Sequence, residues 1–183
     1  MERQEALGLI KEHVKGENLL KHMLAVEAIM KGLAEHLSED VCLWAMAGLL
    51  HDIDFEKTQD KPETHGMLAE NILRGRVDER IIRAIKAHNF DDLGVTPESR
   101  MEKALIAADS ISGLIVACAL VMPSKKLKEL RVETIGRKFK DKDFARGSSR
   151  ERMLICESIG ILKEQLFEIG LRALQNISQD LGL

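Results

Sequence analysis

Apolar residues recur at three- and four-residue steps through most of this chain, which is the spacing of helices that bury one face. The pattern is interrupted at glycine, proline and short polar runs, which commonly end helices. These interruptions predict eight to ten helices, and the segments they delimit are residues 2–15, 18–36, 39–51, 64–74, 78–88, 97–121, 124–130, 132–139, 149–159 and 161–181.

The composition supports an all-α fold. Aromatic residues make up 3% of the chain and tyrosine is absent, so the residues that favour strands are scarce, whereas leucine, alanine, glutamate, lysine and methionine favour helices. With 183 residues and a hydrophobic fraction of 45%, the chain is long enough for one domain with a substantial core. We expect a single compact helical bundle.

The charge distribution is uneven. The net charge is -3, which argues against a general nucleic-acid binder because such proteins need a basic surface to neutralise phosphates. Residues 123–152 nevertheless hold eleven Lys or Arg against five Asp or Glu. Two interpretations of this basic segment stay open, namely an ordinary solvated helical surface and a rim that attracts phosphate to an active site.

The remaining bulk features predict a cytoplasmic protein. Cys42, Cys118 and Cys156 are odd in number and widely spaced in apolar helical contexts, so we expect free, buried thiols. The first residues, MERQEALGLIKEHV, resemble neither a signal peptide nor a lipidation motif. Residues 104–121 are the only membrane-like stretch, and Asp109 at its centre predicts a buried helix of a globular core instead.

Several ionisable residues lie on apolar helical stripes. The pair His51-Asp52 closes the apolar run VCLWAMAGLLHD, and Asp109 lies inside the most apolar helix, where an unpaired carboxylate would be costly. No Lys or Arg between Lys103 and Lys125 supplies a local counter-charge, but a metal held with imidazoles from other helices would do so. Other histidines on apolar stripes are His22, His65 and His88.

Two further histidines have a simpler explanation. His13 and His36 lie close to helix ends, where histidine commonly meets free carbonyl groups. His36 follows His22 by fourteen residues, roughly 21 Å along a continuous helix. At most one of those two can belong to a single metal cluster.

His22, His51-Asp52 and Asp109 resemble the H…HD…D pattern of HD-domain metal-dependent phosphohydrolases. The similarity extends to small prokaryotic predicted HD-superfamily hydrolases through LLHDIDFEKT, IKAHN, AADSISGLIVA, MPSKKL and KFKDKDFARG. It implies one HD domain over residues 1–183, with a metal-binding core at about 18–121 and a C-terminal helical extension at about 122–183. HD-GYP phosphodiesterase activity is disfavoured, because Asp54 and Phe55 replace the Gly and Lys of HDIGK and no tyrosine exists.

The resemblance also implies a dinuclear centre. In this interpretation His22, His51, Asp52 and Asp109 hold one ion, while Asp52 bridges to a second ion held by His65 and His88. An imidazole and carboxylate donor set suits Mn, Fe, Zn, Co or Ni. One possible ligand of the paired-histidine relatives is replaced by Asn89, so one or two ions remain alternatives.

The expected function is metal-dependent hydrolysis of a phosphate ester or anhydride by activated water. Asp52 and Asp54 are the candidate catalytic residues, with Glu56 a further carboxylate for proton transfer, and Lys57 and Asn89 are candidate substrate contacts. The expected partner is a small phosphorylated molecule such as a nucleotide, with no polymeric nucleic acid and no membrane. An HD-type diiron oxygenase and a non-catalytic metal- or ligand-sensing module remain alternatives. Packing is the favoured role for Ser110 and Ser112.

Overall fold

The computed structural model describes residues 1–183 and contains α-helices and three 3₁₀ turns but no β-strand, which confirms the all-α prediction. The helices are α1 (Arg3–His13), α2 (Glu17–Leu37), α3 (Val41–Leu50), α4 (Phe55–Thr58), α5 (Met67–Leu73), α6 (Glu79–His88), α7 (Phe90–Leu93), α8 (Arg100–Leu120), α9 (Val132–Lys140), α10 (Arg150–Leu154), α11 (Lys163–Asn176) and α12 (Ser178–Leu181). The 3₁₀ turns are Pro62–Thr64, Leu127–Glu129 and Ile155–Ile159.

The core forms where α2 and α8 meet α3, α6 and α11. Helix α8 is long and apolar enough to cross a membrane by length and composition alone. Within the structure 67% of its apolar window is buried, as expected for the central helix of a packed core. The expectation of a buried helix over residues 104–121 therefore agrees with the structure.

Small residues let α11 approach this core closely. A Cβ atom at Gly32 of α2 would lie 2.8 Å from Ile169 Cγ2, and one at Gly170 of α11 would lie 2.8 Å from Ile115 Cδ1. Both contacts are shorter than packed side chains tolerate. Helix α11 therefore packs directly on the core built by α2 and α8.

The structure departs from the predicted helices where local breakers act. Only the 3₁₀ turn Leu127–Glu129 forms within the predicted helix 124–130, which follows Pro123 and includes Lys125 at a positive φ of 52°. The predicted helix 149–159 tightens into the turn Ile155–Ile159 and ends at Gly160, whose φ is +89°. Short helices α4 and α7 form outside the predicted helical segments.

The prediction of three buried thiols is wrong for Cys42, which is exposed. This residue follows directly after the first residue of α3, where the helix still faces solvent. Cys118 and Cys156 are buried, and burial raises the pKa of these thiols to about 11 and about 12, respectively. All three cysteines are free.

Candidate metal centre

A close crossing of α2 and α3 places His22 beside His51. A Cβ atom at Gly48 would lie 2.9 Å from Val26 O, so the two backbones touch at this point. His22 lies one turn before Val26, and His51 lies three residues after Gly48. Their ring centroids are consequently 5.0 Å apart, and their Nε2 atoms are separated by 3.2 Å.

A second histidine pair forms where the segment before α5 meets the end of α6. Asp54 Oδ2 accepts hydrogen bonds from the amides of Gly66 and Ala69, both at 2.9 Å, and so fixes the start of α5. His65 directly precedes this turn. His88 ends the buried face of α6, and its Nε2 atom lies 3.1 Å from His65 Nε2.

The Asp52 carboxylate lies between the two histidine pairs. Its Oδ2 atom is 3.6 Å from His22 Nε2 and 3.4 Å from His51 Nε2. Its Oδ1 atom is 3.3 Å from His65 Nε2 and 3.6 Å from His88 Nε2. Each oxygen of one carboxylate therefore faces one pair of imidazoles.

Asp109 completes the first half of the cluster from the middle of α8. Its Oδ1 atom lies 3.2 Å from His22 Nε2 and 3.9 Å from His51 Nε2. The structure thus brings together all six side chains predicted as metal ligands. Two donor sets share Asp52, each with donor atoms within 4.8 Å of one another, and their other members are His22 with His51 and His65 with His88. Binding of metal by these residues stays a prediction.

Backbone carbonyl groups set the tautomers of the two most buried histidines. His51 Nδ1 lies 2.8 Å from Gly48 O, and His88 Nδ1 makes the equivalent contact with Ile85 O. A carbonyl oxygen can only accept, so each Nδ1 atom carries the proton. In neutral rings the Nε2 lone pairs consequently point at the Asp52 carboxylate.

Ser112 sets the tautomer of His22. The Ser112 hydroxyl donates to Asp109 O at 2.7 Å, and its oxygen lies 3.2 Å from His22 Nδ1. With the hydroxyl proton already committed, the oxygen accepts from the ring, so the His22 Nε2 lone pair also faces the cluster.

His65 follows the same rule through side-chain acceptors. Its Nδ1 atom lies 2.9 Å from Asp54 Oδ1 and 3.3 Å from Thr58 Oγ1. The Thr58 hydroxyl donates to Asp54 O at 3.0 Å, so its oxygen is free to accept. Asp54 Oδ1 is buried and has no well-aligned hydrogen bond, although it is in ion-pair contact with the ring. Either acceptor takes the Nδ1 proton.

Neighbouring histidines lower the pKa of both carboxyl groups in the cluster. Burial alone would raise the pKa of Asp52, but the neighbouring histidines outweigh it and hold this pKa well below its usual range. Burial likewise opposes the ionised form of Asp109, yet His22 and His51 lower the pKa of its carboxyl group. Both carboxylates therefore stay ionised.

The imidazoles respond to the same carboxylates. Burial alone would lower the pKa of His65, but hydrogen bonding to Asp52 and Asp54 raises it to about 10. For His51 the pull of Asp52 and Asp109 also exceeds the cost of burial and raises the pKa. For His88 burial dominates and lowers it.

The chemistry of the donor set fits divalent metal ions. Four imidazoles present Nε2 atoms to two ionised carboxylates, and their Nδ1 protons go to carbonyl, hydroxyl or carboxylate acceptors. This outer-shell arrangement typically orients histidine ligands for a metal. The absence of thiolate from the cluster favours borderline transition-metal ions over soft ones.

The other predicted site residues lie around the cluster. Asp54 is completely buried, and its carboxylate holds Gly66, Ala69 and His65. Asn89 Nδ2 donates to Pro62 O at 2.8 Å and to His65 O at 3.2 Å. Both side chains therefore position His65, and their predicted contacts with reacting groups stay predictions.

Two charged residues expected near substrate contact the end of α1 and the segment that joins α1 to α2. Lys57 is exposed, and its Nζ atom lies 3.0 Å from His13 Nδ1. Glu56 accepts hydrogen bonds from the amides of Lys15 and Gly16, which tie α4 to the start of α2. His36 lines a separate cavity between α2 and α11.

Sequence reasoning missed two residues beside the cluster. Ser112 was assigned to packing, although its position three residues after Asp109 was a usable signal for a contact with that residue's carbonyl. Arg152 of α10 approaches Asp109 from 43 residues farther along the chain, and its Nη2 atom lies 4.0 Å from Asp109 Oδ2. Nothing in helical periodicity indicates this contact.

Comparisons with known proteins agree with the geometry. The family model described as HD domain matches residues 19–114. Ribonuclease Y of Desulfotalea psychrophila is 31% identical over 148 residues, which cover 78% of this chain and 28% of that protein. Ribonuclease Y of Lachnoclostridium phytofermentans is 33% identical over 140 residues, covering 74% of this chain and 27% of that protein. This chain spans about three tenths of the length of these curated relatives. No solved structure matches.

These relatives contradict one expectation from the sequence. A small phosphorylated partner without polymeric nucleic acid was expected, yet the curated relatives are ribonucleases by name. That expectation was wrong because it relied on the net charge of the whole chain. An average over 183 residues conceals the basic segment 123–152, and phosphate recognition depends on local charge.

Proposed function

The chain belongs to the HD-domain family of metal-dependent hydrolases, and from this membership we propose that its candidate metal centre hydrolyses phosphodiester bonds of RNA. The observation that carries the proposal is the position of Asp52, whose two carboxylate oxygens face two separate pairs of imidazoles. One bridging carboxylate with a donor set on each side is suited to two neighbouring divalent ions.

Specific residues would hold these ions. His22, His51, Asp109 and Asp52 Oδ2 form the donor set of the first site. His65, His88 and Asp52 Oδ1 form the donor set of the second. We propose Mn, Fe, Zn, Co or Ni as occupants, because imidazole and carboxylate together suit these ions. When bound, such ions lower the pKa of water and neutralise charge on a phosphate group.

The surrounding protein orients the imidazole rings and encloses the deep side of the candidate metal centre. His51 and His88 are buried, and their rings are fixed by the carbonyl groups of Gly48 and Ile85. His22 and Asp109 are partly exposed and so face the side from which a substrate enters. A phosphate would therefore approach over His22 and Asp109, while the deeper imidazoles remain shielded from water.

A cavity with room for a nucleotide adjoins His22. A cavity of about 410 Å³ is lined by His22 and Ser112 from the centre and by Val116 and Leu120 as apolar wall. Lys21 contributes a cationic group to the same cavity. Ligand cavities commonly begin at about 300 Å³, so one nucleotide fits.

An exposed aromatic ring supports a single-stranded substrate. Phe55 is 40% exposed, and its ring centroid lies 5.7 Å from that of His65 in an edge-on arrangement. Exposed aromatic rings beside a phosphate site commonly stack bases of single strands. Phe55 is therefore placed to hold a base next to the second histidine pair.

The test uses the full chain loaded with each metal in turn and a 5′-labelled single-stranded RNA. We expect metal-dependent shortening of the RNA by the wild-type protein and no cleavage by Asp52→Asn. The variant keeps the size of the side chain but removes its bridging charge. Circular dichroism and metal analysis provide the controls for folding and loading.

Substituting one 2′-deoxynucleotide at the preferred cleavage position tests the chemistry separately. Water is the nucleophile in this proposal, so the 2′-hydroxyl is not required and cleavage should persist there. RNA that stays intact with Mn, Fe, Co, Ni and Zn, on a protein that holds metal, would contradict the proposed function.

A further inference from the structure

One arginine of the basic segment 123–152, Arg152, lies next to the candidate metal centre. Arg152 lies on α10, outside the residues matched by the HD-domain model, and its side chain is 20% exposed. Its Nη1 atom donates to Asp91 Oδ2 at 2.9 Å, and its Nη2 atom donates to the carbonyl oxygen of His88. Its guanidinium carbon lies 5.1 Å from the centre of the Phe90 ring. Three contacts therefore hold the guanidinium group in place.

These contacts leave hydrogen-bonding capacity unused. A guanidinium group carries five N–H donors, and only two of them have acceptors within the protein. The Nη2 atom is 4.0 Å from Asp109 Oδ2, which is too long for a hydrogen bond. The unused donors are Nε–H and one N–H of each Nη atom, and Nη2 approaches Asp109 at the partly exposed side of the cluster.

Asp109 separates this arginine from the histidines. Its Oδ1 atom faces His22 Nε2 at 3.2 Å, whereas its Oδ2 atom faces Arg152. An anion bound at the partly exposed face of the centre can therefore contact both the proposed metal site and the Arg152 guanidinium group. Guanidinium is well suited to this role because its planar fork matches two oxygens of a phosphate.

We propose that Arg152 binds a non-bridging oxygen of the scissile phosphate and positions this group over the metal centre, with Asp91 holding the arginine in place. The inference rests on the proposed phosphodiester hydrolysis. The neighbouring Arg150 has a different role, because its guanidinium group donates to backbone carbonyl groups of residues 138–148. Of these two arginines at the end of the basic segment, Arg152 is therefore the one that approaches the candidate metal centre.

The first experiment measures binding of inorganic phosphate to the Mn-loaded full chain by titration calorimetry. We expect Arg152→Gln to weaken phosphate binding roughly tenfold to a hundredfold, as for the loss of a charge-assisted hydrogen bond. Arg152→Lys keeps the charge but not the fork, so it should show a smaller loss. Arg146→Gln is the matched control, because Arg146 is exposed, pairs only with Asp143 and should leave binding within about twofold.

Measurement of bound metal distinguishes a phosphate-binding role of Arg152 from a purely structural one. A purely structural Arg152 would loosen His88 and reduce bound metal, whereas a phosphate ligand would leave the metal content unchanged. If Arg152→Gln fails to fold, Arg152→Lys and Asp91→Asn take its place, and both should weaken phosphate binding at full metal content. Unchanged phosphate binding in these variants, or no phosphate binding by the wild-type protein, overturns the inference.

RNA cleavage distinguishes the two proposals. If the wild-type protein cleaves RNA and Arg152→Gln does so with the same kcat and KM, the role of Arg152 is wrong while the proposed function stands. If RNA stays intact but phosphate binding depends on Arg152, the proposed function is wrong and the arginine site stands.

Discussion

Ser112 on α8 fixes the orientation of the His22 ring on α2, with its hydroxyl oxygen 3.2 Å from His22 Nδ1. The Ser112 proton goes to Asp109 O, so the hydroxyl group links two proposed ligands of the first metal site. Such outer-shell contacts are worth roughly tenfold to a hundredfold in metal affinity. The cluster therefore depends on a residue that binds no metal itself.

Ser112→Ala should weaken binding of the first metal ion roughly tenfold to a hundredfold while the protein stays folded. The alanine removes the acceptor of the His22 ring proton, so the ring loses its preferred orientation. Competition with a chelator of known affinity measures this effect. Ser110→Ala, on the same helix, is the matched control, and equal affinities in both variants would contradict the role of Ser112.

Asp52→Ala and His88→Ala should lose metal to different extents. Asp52 faces both histidine pairs, so its removal should abolish most binding of both ions. His88 belongs to the second set alone, and its loss should reduce metal content by about one equivalent. Elemental analysis of folded protein decides between these outcomes. Full metal content in His88→Ala would show that this histidine is a core residue.

The affinity for metal should rise with pH up to about pH 10. His65 has a pKa of about 10 in the folded protein, so between pH 6.5 and that value its proton must leave before a cation binds. If one proton is displaced, the apparent affinity increases roughly tenfold per pH unit. Calorimetry in two buffers of different ionisation enthalpy should count about one proton released from His65 at pH 8.

The same raised pKa has a consequence for the stability of the metal-free protein. Protonated His65 contributes stability that is fully present below pH 6.5 and is lost as the pH rises towards 10.

Asp54→Asn removes one of the two charges that raise the pKa of His65. In this variant the rise of metal affinity with pH should therefore end at a lower pH than in the wild type, and an unchanged end point would contradict the assignment of the proton to His65.

Arg150→Ala should destabilise the protein by about 2–4 kcal/mol. The Arg150 side chain is the shared donor for carbonyl groups in the loop between α9 and α10, so its removal leaves several acceptors unpaired. Urea denaturation monitored by circular dichroism measures the free energy of unfolding. Arg146→Ala, which removes an exposed guanidinium group in the same loop, should cost less than about 0.5 kcal/mol.

Helical periodicity was sufficient to predict the elements that carry His22, His51 and Asp109, because each residue follows an apolar stripe that must face the core. It could not predict how Asp54 is used. A buried carboxylate that accepts from the amides of Gly66 and Ala69 depends on the path of a loop, and loop paths have no period. From the sequence, Asp54 was therefore only a candidate catalytic residue, and its contacts with Gly66 and Ala69 were not predicted.

The placement of Arg152 shows a second limit of sequence reasoning. The excess of basic residues in segment 123–152 was visible, but two interpretations of it remained open. The folded chain assigns different surroundings to neighbouring arginines, since Arg150 meets carbonyl groups and Arg152 meets Asp109 and Asp91. Only tertiary contacts distinguish residues that composition counts as equivalent.

The division of the Asp52 carboxylate between two histidine pairs has an evolutionary consequence. His22 and His51 precede Asp52 in the chain, whereas His65 and His88 follow it, and the two pairs lie on different helices or helix ends. Mutations can therefore alter one pair while the other keeps its supports. A descendant that lost His65 and His88 would retain Oδ2 of Asp52, Asp109 and the first pair as an intact set of donors. In the proposed two-ion arrangement, a few substitutions in the second pair would therefore leave a one-ion site without rebuilding the bundle.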